Sequence, residues 1–191
     1  MEFSVQTANP AKTETACLLV PVFKGSDLLP TVAKLDDASE RLIGQLLERG
    51  DFDAALGNVQ LVPFAPGLGA ERILLVGLGE REKCQEAAFI KALDAAMAAL
   101  VKLPIDEASV VFGDVPLADR DPAWKARKVM EAAERAIYRF DQFKSSPAPA
   151  LSLAKLTLMI SDADAVSQVK QGALIGNAIG QGINYTRTLG N

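Results

Sequence analysis

Three groups of residues in this 191-residue chain have the types and spacings that chemistry needs. The first is Val76-Gly77-Leu78-Gly79, which closes an apolar run and precedes a helical pattern. That is where backbone N–H groups cradle a phosphate. The dinucleotide fingerprint wants a third glycine at position 82, but the residue there is Glu82, and Glu80 and Glu82 bring two carboxylates to where an anion would lie. No Walker lysine-serine pair follows. The simpler reading is a tight strand exit that needs glycine for its backbone angles.

The second group is basic. Arg120, Lys125, Arg127, Lys128, Arg135, Arg139 and Lys144 fall within 25 residues beside four acids, a surplus of three positive charges, with Trp124, Tyr138 and Phe140 among them. A basic helix interleaved with aromatics can touch a nucleic acid backbone or another partner. Arg127 to Glu131 and Glu131 to Arg135 are also i,i+4 pairs of the kind that decorate any solvated helix.

The third group is acidic: Asp36-Asp37, Asp51/Asp53, Asp119/Asp121 and Asp162/Asp164. Carboxylates alone can hold Mg²⁺ or Mn²⁺. Each pair falls at an expected helix cap or turn, where aspartate satisfies free backbone N–H groups. No cluster carries the Lys or Arg partner that a metallohydrolase site wants, so no catalytic and no metal-ligating residue is assigned.

Composition narrows the choice. There is no histidine, which removes Ser-His and Cys-His nucleophile pairs and every His-ligated metal or haem site. Cys17 and Cys84 are too few and too far apart for a disulfide framework or a metal knuckle. Cys17 lies in an apolar run and reads as a small buried residue, and a reducing, cytoplasmic setting follows. Twenty Lys plus Arg against 24 Asp plus Glu leave a net charge of −4, and the isoelectric point is near 5.0. That balance gives no strong long-range pull on phosphate. The N-terminus has no apolar signal core, and no apolar run approaches the 18 or so residues of a membrane span.

The elements that must position these groups alternate. Strands are expected at 16–23, 58–64, 72–79, 107–114 and 153–162. The 58–64 strand meets Pro63 and reads as a sheet edge. Helices are expected at 36–49, at 85–102, from Asp121-Pro122 through Phe140, and from about Asp164 toward Tyr185. KSSPAPA (144–150) is the only linker-like stretch. Strands separated by helices favour an α/β sandwich with a largely parallel sheet. The opening strands have no convincing helix between them, so the sheet is expected to be mixed rather than purely parallel. In the last helix Gly172, Gly176 and Gly180 share one face, with Gly182 close behind. Each interior glycine costs about 1 kcal/mol against alanine, which signals close approach of another backbone.

Taken in order, three segments carry a resemblance. They are RILLVGLGEREK (72–83) with Phe89-Ile90-Lys91-Ala92, then YRFDQFK (138–144), then GINYTRTLGN (182–191). Together they resemble the N-terminal domain of the bacterial leucyl (cytosol) aminopeptidases, the M17 metallopeptidase family. The resemblance implies a three-layer α/β/α, macro-domain-like domain over 1–163, with 164–191 as a linking helix toward a C-terminal catalytic domain. It implies a parent that releases N-terminal amino acids such as leucine, using two divalent metals (Mn²⁺, Zn²⁺ or Mg²⁺), and that assembles as a homohexamer. The family's metal-ligand motif is not in this sequence, so the chain itself is expected to be inactive and without a cofactor. Its expected role is structural, assembly or regulatory. The chain reads as a piece cut before the chemistry begins. Some bacterial members bind DNA, which gives the 120–144 stretch a family precedent, and macro-like topology would offer an ADP-ribose-type pocket near Gly77 and Gly79.

Overall fold

The computed structural model describes residues 1–25, 27–140 and 151–190. KSSPAPA, Lys144 and the second half of the 138–144 segment lie outside the described residues. The two most apolar segments become the middle of a sheet: β2 (Leu18–Phe23) and β4 (Ile73–Gly79). All of β2 and all of β4 but Gly79 are buried. Strands without an exposed face must be covered on both sides, which is why the runs are continuous rather than alternating.

Around them the order is β1-β6-β5-β2-β4-β3, where β1 is Glu2–Gln6, β3 Val59–Val62, β5 Glu107–Val110 and β6 Lys155–Met159. Every neighbouring pair is parallel except β3–β4. The sheet is therefore mixed and mostly parallel, as expected, and β3 is an edge strand that stops just before Pro63.

The helices are α1 (Pro30–Ala38), α2 (Leu42–Arg49), α3 (Glu86–Leu100), α4 (Pro122–Ile137) and α5 (Val166–Leu189). α3 lies on β3 and β4, α5 on β1, and α4 between them, while α1 packs on β2 and α2. With both faces of β2 and β4 buried, this is a three-layer α/β/α arrangement. Asp121 caps α4 as its sequence suggests: the Trp124 backbone N–H donates to Asp121 Oδ1 at 2.7 Å, and Pro122 is the first helical residue.

Two expectations need correction. One helix was expected over 36–49, but two short ones form, because Glu40 and Arg41 adopt φ of +56° and +61°. The break is locked on both sides. Ser39 Oγ donates to Leu35 O at 2.7 Å at the end of α1, and Asp36 Oδ1 accepts from the Gly44 N–H at 2.9 Å in the first turn of α2. The polar N-terminus also supplies a strand. β1 buries only Val5, so its alternating Glu2, Ser4 and Gln6 give no apolar run.

Candidate functional site

Gly77 and Gly79 are packed against the chain's own 54–58 loop. A Cβ on Gly77 would lie 2.1 Å from Ala55 O, and the 54–58 loop bonds the strand directly. Gly77 N–H donates to Asn58 O at 2.8 Å, Gly79 N–H to Ala54 O at 3.0 Å, and Gly57 N–H to Gly77 O at 2.9 Å. Gly79 has φ +73°. The donors that would hold a phosphate are spent on the chain's own backbone. Beyond them Lys83 Nζ and Glu80 Oε2 pair at 2.5 Å, which holds the exposed Glu80 carboxyl below and the Lys83 ammonium above their ordinary ranges. The strand-exit reading accounts for Gly79, whereas Gly77 is required by the close crossing of Ala54 and Ala55.

A cavity of about 510 Å³ opens instead beyond the carboxyl ends of β1, β6 and β5, lined in part by Thr7, Asn9, Thr31, Lys34, Asp114 and Ser161. The start of α1 points into this region, where a helix N-terminus favours negative charge. That position is already filled. Asp114 Oδ2 accepts from the Thr31 N–H at 3.0 Å and from Thr31 Oγ1, and Ser161 Oγ donates to Asp114 Oδ1 at 3.3 Å. Asp114 thus caps a helix whose own N-cap, Leu29, cannot. In the sequence Asp114 only ends an expected strand, since its partner lies 83 residues away.

The basic residues of the 120–144 stretch are spread over α4 and its flanks, and five of them have defined partners. Arg120 pairs with Glu86, its Nε donating at 2.7 Å, and lies over the Trp124 ring at 5.3 Å. Lys125 Nζ donates to Gly113 O at 2.8 Å. Burial pulls the Lys125 ammonium below its ordinary range, and the nearby Asp114 charge opposes that. Arg127 Nε and Lys128 Nζ both reach Glu131, each at 2.7 Å. Arg135 does not make the expected bond back to Glu131; its Nη2 turns to Asp94 on α3 at 2.6 Å. Arg139 is exposed and engaged. Lys144 lies outside the described residues. The stretch presents paired charge rather than one convergent group.

One or both members of each acidic pair are engaged, through Asp36, Asp53, Asp121 and Asp162. Asp36 serves α2, Asp53 accepts from the Ala55 N–H and from Asn58 Nδ2, and Asp162 accepts from the Asp164 N–H. The first two of those donors hold Asp53 below the usual carboxylate range. Among the described residues no three His, Cys, Asp or Glu side chains converge to hold a metal ion. Cys17 is fully buried, as its apolar run suggests, and burial pushes its thiol up to about 12 against the opposing charge of Arg72. No helix among the described residues is long and apolar enough to cross a membrane.

The α4–α5 seam is where the sequence signal is most literal. A Cβ on Gly172 would lie 2.1 Å from Ala123 O, one on Gly176 2.3 Å from Arg127 O, and one on Gly180 2.4 Å from the Glu134 Cβ. The stripe marks the close approach of two helices. Beneath its far end the α-ammonium of Met1 meets Glu134 Oε1 at 3.7 Å, both groups buried. Burial raises the Glu134 carboxyl above its ordinary range, and the ammonium only partly offsets this. Asn184 Nδ2 donates to Glu134 O at 2.8 Å, tying α5 to the same point.

Comparison with known proteins gives one consistent picture. Residues 19–147 match the family model described as the cytosol aminopeptidase family, N-terminal domain. A probable cytosol aminopeptidase of Chromohalobacter salexigens is 66% identical over all 191 residues, which span 38% of its length. The cytosol aminopeptidase of Pseudomonas aeruginosa is 36% identical over the same 191 residues, again 38% of its length. Among solved structures, a tomato leucine aminopeptidase variant superposes with a TM-score of 0.75 at 17% identity, over 96% of this chain and 36% of that one. The bottromycin maturation enzyme BotP superposes with a TM-score of 0.66 at 22% identity, over 92% of this chain and 32% of its own. At those identities the two structures speak for the fold alone.

Proposed function

The chain belongs to the cytosol aminopeptidase family, matching its N-terminal domain, and from that premise we propose that it is the non-catalytic domain of a leucyl aminopeptidase. The peptide chemistry would reside in the polypeptide outside these 191 residues. One observation carries the reading: the whole chain aligns with full-length relatives, yet spans only 38% of them. The six-stranded mixed sheet between helices is in keeping with a macro-domain-like unit over 1–163, and α5 with a connecting helix over 164–191.

The divalent metal pair that family membership implies does not fit the residues present. Asp36, Asp53 and Asp114 are engaged in hydrogen bonds within the fold, and among the described residues no three His, Cys, Asp or Glu side chains converge. No catalytic step is therefore assigned to this chain. In the whole protein the metal-assisted release of N-terminal residues belongs to the C-terminal domain. The N-terminal domain supplies structure, assembly or regulation, within a cytoplasmic homohexamer.

The test compares two proteins on leucine p-nitroanilide with Mn²⁺. The first is the 191-residue chain. The second is a chimera in which it replaces the aligned segment of the Chromohalobacter relative. We expect turnover from the chimera and none from the chain. Turnover by the chain alone, co-purifying with it and abolished by chelation, would overturn the reading.

A further inference from the structure

A second cavity, of about 490 Å³, lies among α1, α2 and the loops that follow β2 and α2. Leu28, Leu47 and Phe52 give it apolar walls. Asp36 lines it too, although that residue is only 6% exposed. Asp36 Oδ1 accepts from the Gly44 N–H, while Oδ2 has no hydrogen bond and no ion pair among the described residues. A buried charge is costly unless it is paired. The bond to Gly44 does not call for the charge, because asparagine and serine cap a helix as well as aspartate does.

The space over Gly44 is the second, independent observation. A Cβ there would stand 3.0 Å from Asp36 Oδ2 and 3.4 Å from Arg41 Nη2. The bare glycine therefore leaves a carboxylate and a guanidinium beside one point. The helix break brings Arg41 there: its φ is +61°, Glu40 before it has +56°, and its N–H donates to Asp36 O at 2.8 Å. Two successive non-glycine residues in the left-handed region are uncommon, and such strain gathers at ligand clamps. Arg41 also meets Glu48 at 2.6 Å, but those side chains are 62% and 60% exposed. An exposed pair contributes little, and a guanidinium has five N–H donors to share. The remaining carboxylate of the lining, Asp53, is spent on the Ala55 N–H and Asn58 Nδ2.

We propose that this cavity binds a free α-amino acid with an apolar side chain. The α-ammonium donates to Asp36 Oδ2, the α-carboxylate accepts from Arg41, and the side chain lies along Leu28, Leu47 and Phe52. Both charged groups of an α-amino acid sit on one carbon, which suits partners that flank one glycine. An amine alone leaves Arg41 unused, and a carboxylate alone leaves Asp36 unpaired. A metal ion finds no third acidic ligand among the described residues. The site goes beyond the function proposed above and is built wholly from this chain. Turnover by the chimera judges that reading, and binding at Asp36 judges this one.

The test is calorimetric titration of the 191-residue chain with L-leucine, with hydrogen exchange to locate the ligand. We expect a Kd of about 1 mM or tighter and slowed exchange of amides across 36–53. L-Leucinamide lacks the carboxylate, 4-methylpentanoate the ammonium and glycine the side chain, and each binds about tenfold more weakly or worse. Asp36→Asn keeps an acceptor for Gly44 and drops the charge, while Gly44→Ala places a methyl group in the space between Asp36 and Arg41. Both variants, folded by circular dichroism, lose leucine affinity by about tenfold or more. In the Chromohalobacter chimera the same protection across 36–53 appears with leucine and is lost on Asp36→Asn, which separates this site from a catalytic one. Absence of leucine-dependent protection at 36–53 in both proteins would overturn the proposal. So would leucine binding that survives both substitutions, or L-leucinamide binding as tightly as leucine, because Arg41 would then have no part in recognition.

Discussion

Replacing Gly172 or Gly176 by alanine should destabilise the chain, although alanine is the better helix former. The hypothetical Cβ atoms lie 2.1 Å and 2.3 Å from the carbonyl oxygens of Ala123 and Arg127, where ordinary contact begins at 3.4 Å. α4 must retreat from α5 by roughly 1.3 Å in the first case, enough to forfeit much of the dispersion contact along the seam. Overpacking typically costs about 1–3 kcal/mol. The cost here belongs at the upper end, because backbone rather than a flexible side chain must yield. Helix propensity returns about 1 kcal/mol, leaving a net loss of about 2 kcal/mol. For a chain of this size that lowers Tm by about 4–8 °C. The double variant should lose less than the sum, since one retreat relieves both contacts. Thermal and urea unfolding followed by circular dichroism would measure this, with Gly182→Ala, whose new Cβ meets no described atom within 4 Å, as the control of opposite sign. A Gly172→Ala Tm equal to or above that of the parent chain would refute the close-approach reasoning.

Three further outcomes follow from the geometry. Burial alone would raise the Glu131 carboxyl, but hydrogen bonds from Lys128 and Arg127 outweigh it and hold it below the usual range. Its contribution is therefore full above the ordinary carboxylate pKa and is lost as pH falls through the depressed folded value. Glu131→Gln should cost about 1–2 kcal/mol at neutral pH, with the deficit closing in strong acid; a deficit independent of pH in urea titrations would count against the pair. With its thiol pushed up to about 12, Cys17 should be about 10⁻⁴ thiolate at pH 8. It should resist DTNB in the native chain and react in denaturant, and fast native labelling mapped to Cys17 by mass spectrometry would contradict its burial. A DNA duplex titrated at about 50 mM and about 200 mM salt should give no salt-dependent complex at low micromolar chain, because Arg120, Lys125, Arg127, Lys128 and Arg135 already have partners. A complex weakened by Arg120→Ala and by salt would restore α4 as a phosphate-contacting surface.

What the sequence made legible was whatever had a local cause. The buried runs at Leu18–Phe23 and Ile73–Gly79, the Asp121-Pro122 helix start and the glycine stripe of α5 each carry their reason within a few residues. What it hid was distant. Gly77 is small because Ala54 and Ala55 cross it, and that crossing has no signature at Gly77 itself. Arg135 has a suitable partner four residues back, yet the tertiary fold offers Asp94. The break between α1 and α2 depends on Asp36 turning inward to serve Gly44, where composition suggests a surface cap. The helix N-terminus at the carboxyl edge of the sheet was missed because the anion filling it, Asp114, belongs to another element.

The pairing of β1 with β6 has a consequence for how the chain is made. Ser4 Oγ and Thr157 Oγ1 are in contact at 3.0 Å across a separation of 153 residues. At translation rates of about 5–20 residues per second, the first strand waits roughly 8–30 s for β6 to emerge. During that interval it is a bare strand edge, the kind of surface that recruits the wrong chain. Glu2, Ser4 and Gln6 make it a poor template for such recruitment, so the polarity that concealed β1 in the sequence also protects it on the ribosome.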